Sequence, residues 1–158
     1  QLLRNGLQDN IILYSNRSEG TKDILKHGFQ HIPEFIHYKD NMKNSMKASV
    51  LIDIHNPIHN GLTFRTFESL GFEKKLITSN KEVAHYDFYN ADNIFIWDQE
   101  STSELKDFLS CPYTSIDEDI QEKYSFSNWI KYILNSDEHI PIALPQMQQK
   151  KESMFDYA

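Results

Sequence analysis

The sequence predicts an α/β fold, a Rossmann-like three-layer sandwich built on a mainly parallel sheet. Three observations predict it. Short apolar runs recur along the chain, each too short for a helix and each followed by polar loop residues. Segments with helical apolar spacing lie between them. The stretch from Asp53 to Lys81 reads, in order, as strand end, polar loop, helix and strand, which is a βαβ unit. Such units bind ligands beyond the carboxyl ends of their strands, so the polar loop from His55 to Asn60 marks the expected functional edge.

In chain order, Ile11 to Tyr14 is a predicted buried strand, with Ser15 to Ser18 as its exit loop. Thr21 to His27 is a predicted helix. Thr21 can cap it, Ile24 and Leu25 give it an apolar face, and Gly28 stops it. Phe29 to Ile36 alternates loosely and contains Pro33, which suits an edge strand or an extended connection. Tyr38 to Ala48 is the next helix, with Met42 and Met46 at i, i+4 as its inner stripe. Val50-Leu51-Ile52 is a strand that stops at Asp53. A helix is expected from Gly61 to about Gly71, and Leu76-Ile77-Thr78 is the strand after it, ending in Ser79-Asn80-Lys81.

Glu82 to Asn93 is a polar, aromatic connector. Its cluster from Tyr86 to Asn90 either stacks on a base or simply packs, and packing is the commoner use. Ile94 to Trp97 is a strand ended by Asp98. Ser103 to Leu109 is a short helix capped by Ser103, with Leu105, Phe108 and Leu109 inward, and Cys111-Pro112 breaks it. Asp117 to Leu134 is the longest helical pattern, with Ile120, Tyr124, Trp129, Ile130, Ile133 and Leu134 as apolar members and an interruption at Ser125 to Ser127. From Asn135 the pattern weakens. The domain is therefore read as 1–135, with 136–158 a tail or a strap over another domain.

At 158 residues the chain is one domain's worth, long enough to bury a sizeable core. A hydrophobic content of 39% excludes a disordered chain. Net charge of −7, with sixteen scattered basic residues, disfavours a nucleic-acid surface, which wants clustered Lys and Arg. Cys111 is the single cysteine, so no internal disulfide forms, and the usage suits a reducing, cytoplasmic setting. It has no base nearby in sequence and reads as inert. No apolar run approaches the ~18 residues of a membrane span. The first residue is Gln1 and no signal-like segment follows, so the chain is expected to begin inside a longer protein.

Glu68 is the first candidate for chemistry. It lies about two turns into its helix, with Phe64, Phe67 and Leu70 to enclose it partly. A carboxylate can accept two hydroxyl hydrogens at once, which suits a ribose diol. The plainer reading is an Arg65–Glu68 pair at i, i+3, a surface salt bridge worth ~0.2–0.5 kcal/mol. Asn60-Gly61-Leu62-Thr63 opens the same helix, where free N–H groups and the positive dipole end welcome an anion. An ordinary Asn60 N-cap explains those residues equally well. Arg65 could add a fork of donors to a diphosphate. His55 and His59 are spaced i, i+4 but flank Pro57 in a loop, with no further ligand at motif spacing, so no metal site is assigned.

Asp53-Ile54-His55, Gly61 to Gly71 and Lys75 to Lys81 together resemble the C-terminal donor-binding domain of GT-B glycosyltransferases. The look-alikes are bacterial capsule and lipopolysaccharide biosynthesis proteins and the spore-maturation type, with its R-x-F-E-x-x-x-x-G-x-x-L-x-T core. Tyr86 to Asn90, Asn93-Ile94 and Tyr124-Ser125-Phe126 before Trp129 fit the same pattern, and the similarity covers residues 45 to 134. The resemblance implies that Glu68 holds the donor ribose and that Gly61 faces the diphosphate with Arg65 nearby. It puts His59, Asn60, Leu62 and Thr63 at the helix opening around the donor, with Asn80 and Lys81 after the next strand. Where many such enzymes carry an acid eight positions before the glutamate, this chain has Asn60, so a two-carboxylate site does not carry over.

The implied partners are a nucleotide-sugar donor, an N-terminal lobe of the same protein that is missing here, and a glycan or glycolipid acceptor, with no nucleic acid. No cofactor and no bound metal are implied. The implied place is the cytoplasm, with peripheral association of the full protein at the inner membrane face. No catalytic residue follows, because the base of such enzymes often lies in the other lobe.

Two rivals stand beside this. His59-Asn60-Gly61 to Glu68 also resembles the N-x-G-x-x-x-R-T-x-E motif of knotted SPOUT-type RNA methyltransferases, but the asparagine falls one place late and the later motifs are missing. The third reading is a non-catalytic Rossmann-like interaction module.

Overall fold

Ile12–Tyr14 (β1) and Gln30–Ile32 (β2) pair in parallel, with Leu13 opposite His31. After the helix Tyr38–Lys47 (α1) come Val50–Asp53 (β3), Phe64–Gly71 (α2) and Lys75–Thr78 (β4). A 3-10 helix at Lys81–His85 leads to Ile94–Ile96 (β5), and then Thr102–Ser110 (α3), Glu118–Lys123 (α4) and Phe126–Ile133 (α5) complete the order. These elements come from a computed structural model that describes residues 12–14, 26, 30–32, 36–56, 58, 61–98 and 102–143. The expected helix at 21–27 lies outside the described residues except for Lys26, which is helical. Pro33 and residues 144–158 also lie outside them.

The chain is an α/β fold in which every described strand pairing is parallel, as the sequence predicts. The strands fall into two sheets, β1-β2 and β3-β4-β5. In the second, β4 is central and all four of its residues are buried. The period-2 alternation of a strand sends its neighbours to opposite faces, and here both faces are covered. Leu51, Leu76 and Ile94 join Leu70, Val83 and Phe88 in one core, with Leu62, Tyr86, Ile120 and Tyr124 packed against it. Val50, Ile77, Phe95 and Trp97 face the other way, onto Leu105 and Phe108 of α3. A sheet with cores on both faces is the middle layer of three.

Local chemistry explains where helices end. Glu73 follows α2 at φ 52°, while Lys74 N–H donates to the Ser69 carbonyl (2.8 Å) and Glu73 N–H to that of Leu70 (3.3 Å). Asn135 does the same after α5, with Ser136 N–H on the Lys131 carbonyl (2.9 Å) and Asn135 N–H on that of Tyr132 (3.0 Å). Both are Schellman reversals with a non-glycine in the left-handed position.

Three expectations need correction. The helix after the polar loop begins at Phe64, not Gly61, because Gly61 stands at φ +96° and the Thr63 hydroxyl is turned to Asp53 instead of capping. The inner residue of α1 is Ser45, 3% exposed, whereas Met46 is 53% exposed. A small polar side chain there lets α1 reach the ion pair on α2. Ser103 lies inside α3, which starts at Thr102. The expected interruption at Ser125 to Ser127 does divide the long pattern at 117–134 into two helices, since the Ser125 hydroxyl accepts the Asn128 N–H (3.0 Å) and starts α5 afresh.

The split also turns α5 around. Asn128 faces the body, buried, with its amide on the Lys123 and Ile140 carbonyls at 2.7 and 2.8 Å. Trp129, Ile133 and Leu134 are consequently at least half exposed.

Candidate functional site

β3 and β4 end side by side, with Asp53 in register with Thr78. The Asp53 carboxylate is buried and holds this edge together. Thr63 Oγ1 donates to its Oδ1 (2.9 Å) and Thr78 Oγ1 donates to its Oδ2 (3.0 Å). The first bond pulls the residue that opens α2 onto the end of β3. Hydrogen bonds to a carboxylate are worth ~1.5–3 kcal/mol each, so the helix start is fixed by a strand ten residues earlier. Ser79 Oγ accepts the His55 backbone N–H (2.9 Å), closing the same edge from the other side.

Beyond this edge lies a cavity of about 210 Å³ lined by Ile52, Asp53, Ile54, His55, Ile77, Thr78, Ser79 and Trp97. Its position, outside the carboxyl ends of parallel strands, is where open α/β sheets take ligands. Clefts that hold whole drug-sized ligands run to ~300–1,000 Å³. This one is smaller. Ser79 and His55 offer polar groups there, while Ile52, Ile54 and Ile77 supply apolar wall. The indole N–H of Trp97 is buried without a partner among the described residues, at a cost of ~1–3 kcal/mol.

The predicted residues do not all meet at this cavity. Glu68 does not line it. Its Oε2 accepts Arg65 Nη1 (2.8 Å) and lies 3.2 Å from Ser45 Oγ, and its side chain is 10% exposed against 29% for Arg65. Arg65 also donates to Ser45 Oγ. This is the i, i+3 pair of the plainer reading, but enclosed and shared with α1, so it exceeds the ~0.2–0.5 kcal/mol of an open surface pair. Asn80 is 2% exposed and acts as a latch. Its Nδ2 donates to the Gly61 carbonyl (3.0 Å), its Oδ1 accepts the Glu82 N–H (3.0 Å), and its own N–H donates to Thr78 Oγ1 (3.0 Å). Leu62 packs against the core. Lys81 is exposed at the start of the 3-10 helix. Gly61 and Thr63 are at the helix opening, and His59 and Asn60 lie outside the described residues.

Sequence reasoning passed over Asp53, Thr78, Ser79 and Trp97 as site residues. The available signal was position: each is the last residue of a strand or the one after it. The aromatic cluster packs, as its commoner use predicts. Phe88 is 2% exposed, with Tyr124, Tyr86 and Phe67 ring centroids at 4.8, 5.4 and 6.5 Å. Burial, and then the hydrogen bond to Asp87, push the Tyr124 hydroxyl far above its ordinary value.

No protein-family model matches the chain, and neither does any curated protein or solved structure. Function therefore rests on the site itself. Among the described residues, no group of three or more His, Cys, Asp or Glu is gathered as a metal would require, and no helix is long and apolar enough to cross a membrane.

Proposed function

We propose that this chain is the donor-binding lobe of a glycosyltransferase of the two-lobe type, moving a sugar from a nucleotide-sugar onto a surface polysaccharide or lipopolysaccharide acceptor. The observation that carries the reading is the Thr63–Asp53 bond, which brings the opening of α2 to the edge where the cavity lies. One piece of the nucleotide enters the cavity. The paired phosphates lie along Gly61 to Thr63, where the helix dipole favours negative charge. The sugar acceptor and the general base come from a second lobe, so this chain alone turns over little. The full protein works at the inner face of the membrane, where glycolipid acceptors are met.

Glu68 sets the condition on this reading. With Oε2 committed to Arg65, only Oε1 is free for a ribose hydroxyl. Donor binding must draw Arg65 away, toward the diphosphate, before Glu68 can accept both hydroxyls. The same pairing favours a second reading, a non-catalytic interaction module in which Arg65, Glu68 and Ser45 simply join α1 to α2.

Thermal melting of the chain with UDP, GDP, CMP or S-adenosylmethionine separates the readings. A nucleoside diphosphate is expected to raise Tm, equivalent to ~2.7 kcal/mol at one hundred times Kd. Glu68→Gln, which keeps the shape, is expected to abolish most of that shift. Stabilisation by S-adenosylmethionine alone would instead select the methyltransferase reading, and silence from all four ligands the interaction module.

A further inference from the structure

We infer that two copies of this chain pair through the apolar face of α5. This inference does not rest on the donor-binding reading. The face is built from Phe126, Trp129 and Ile133 at i, i+3, i+7, flanked by Tyr132 and Leu134, and all five are between 50% and 74% exposed. Phe126 and Trp129 lie against each other, ring centroids 5.5 Å apart, so the surface is continuous. Another side of α5 is already used, because Asn128 is buried with its amide on the Lys123 and Ile140 carbonyls. An aromatic face without charge is how the centre of a protein interface is composed.

Spacing and area favour a second copy as the occupant. Positions i, i+3, i+7 are those of a coiled-coil seam, in which like helices pair. Such a face is its own complement about a twofold axis, and every copy of the chain carries it. Aromatic side chains bury ~150–250 Å² each, so the exposed parts of these five come to roughly 600 Å² per copy. Standard interfaces cover ~800 Å² per partner, and weak ones less. The face by itself is therefore the size of a weak dimer interface, with a Kd in the ~10–100 μM range.

Charge sets how the pairing responds to salt. Exposed acids precede and follow α5 in the chain, Glu118, Asp119 and Glu122 on α4 and Asp137 and Glu138 after the helix. The single charge on α5 is Lys131, which faces Glu122 at 3.9 Å. An acidic border turns away an anionic lipid surface. Between two copies it sets like charges against each other at the rim. Salt screens that repulsion and leaves the apolar centre intact, so pairing tightens as salt is added.

Sedimentation equilibrium of the 158-residue chain, from about 1 to about 200 μM, tests the inference. The apparent mass is expected to rise toward twice that of one chain. It is expected to do so at lower protein concentration when salt is raised from about 0.05 to about 0.5 M. Trp129→Glu, which puts an acid in the middle of the face, is expected to raise Kd at least ~tenfold with helical circular dichroism unchanged. Tyr38→Glu, at an exposed aromatic on α1, is expected to leave Kd where it is. The mass of one chain at every concentration overturns the proposal. So does a dimer that Trp129→Glu leaves intact, that Tyr38→Glu weakens as much, or that salt dissociates.

Discussion

Lys75 shows how much one residue's setting depends on its neighbours in space. In sequence it is half of an unremarkable Lys74-Lys75 pair. In the fold it is 6% exposed, because β4 is the central strand and is covered on both faces. Its Nζ donates to the Phe108 carbonyl, one of the orphan acceptors at the end of α3, and lies 4.2 Å from the Phe108 ring centroid. Burial pushes its ammonium pKa below 10.5, opposed more weakly by Cys111 and Asp92. Between the folded value and 10.5 the unfolded chain therefore holds more protons than the folded one, and stability rises with pH across that window. Tyr86, Tyr113 and Tyr124, each raised above 10.0 by burial, act in the opposite sense at higher pH. Urea melts between neutral pH and 10 are expected to show a positive slope that is missing in Lys75→Met. An identical slope in the variant would rule out this assignment.

At the scale of the element, both ends of α2 were only partly legible. The sequence puts its start at Gly61, because a glycine after Asn60 looks like an opening, yet the first turn begins at Phe64. The deciding contact, Thr63 to Asp53, is between residues ten apart, and no local rule anticipates it. Its end near Gly71 was legible, but the left-handed position falls to Glu73, at φ 52°. A non-glycine there costs ~1–2 kcal/mol, while glycine adds ~0.4–1 kcal/mol of unfolded-chain entropy. Glu73→Gly is accordingly expected to stabilise the protein by ~0.5–1 kcal/mol, read as a higher urea midpoint at unchanged slope. A lower midpoint would mean that the Glu73 side chain matters more than its backbone. Asn135→Gly gains less, since Asn tolerates this conformation.

At the scale of the whole molecule, the larger described sheet is three short parallel strands between two small cores. Phe88 closes the larger core, against Phe67, Tyr86 and Tyr124. Removing its ring in Phe88→Ala is expected to cost ~3–5 kcal/mol, against a usual total of ~5–15 kcal/mol for a domain. A calorimetric loss under 1 kcal/mol would show that this core is not the one that holds the fold. Ile77→Val, on the opposite face, is expected to cost only ~0.5–1.5 kcal/mol. The same two cores leave the carboxyl edge of the sheet free. That is why the cavity lies there, and why the proposed donor binding, with its test on Glu68, belongs to the molecule and not to any one motif.

The sequence by itself determined the strands β3, β4 and β5, the helix between β3 and β4, those after β5, and the edge at which polar residues collect. Those follow from apolar runs, from helical spacing and from turn residues, all of which act over a few positions. Only the tertiary structure decided that Ser45 joins the Arg65–Glu68 pair, that Asn80 latches Gly61, and that α5 shows its aromatic stripe to solvent. Each of those outcomes is a choice between partners far apart in the chain. A side chain's neighbours within one helix turn are set by spacing, but its neighbours across elements are set by how the layers pack.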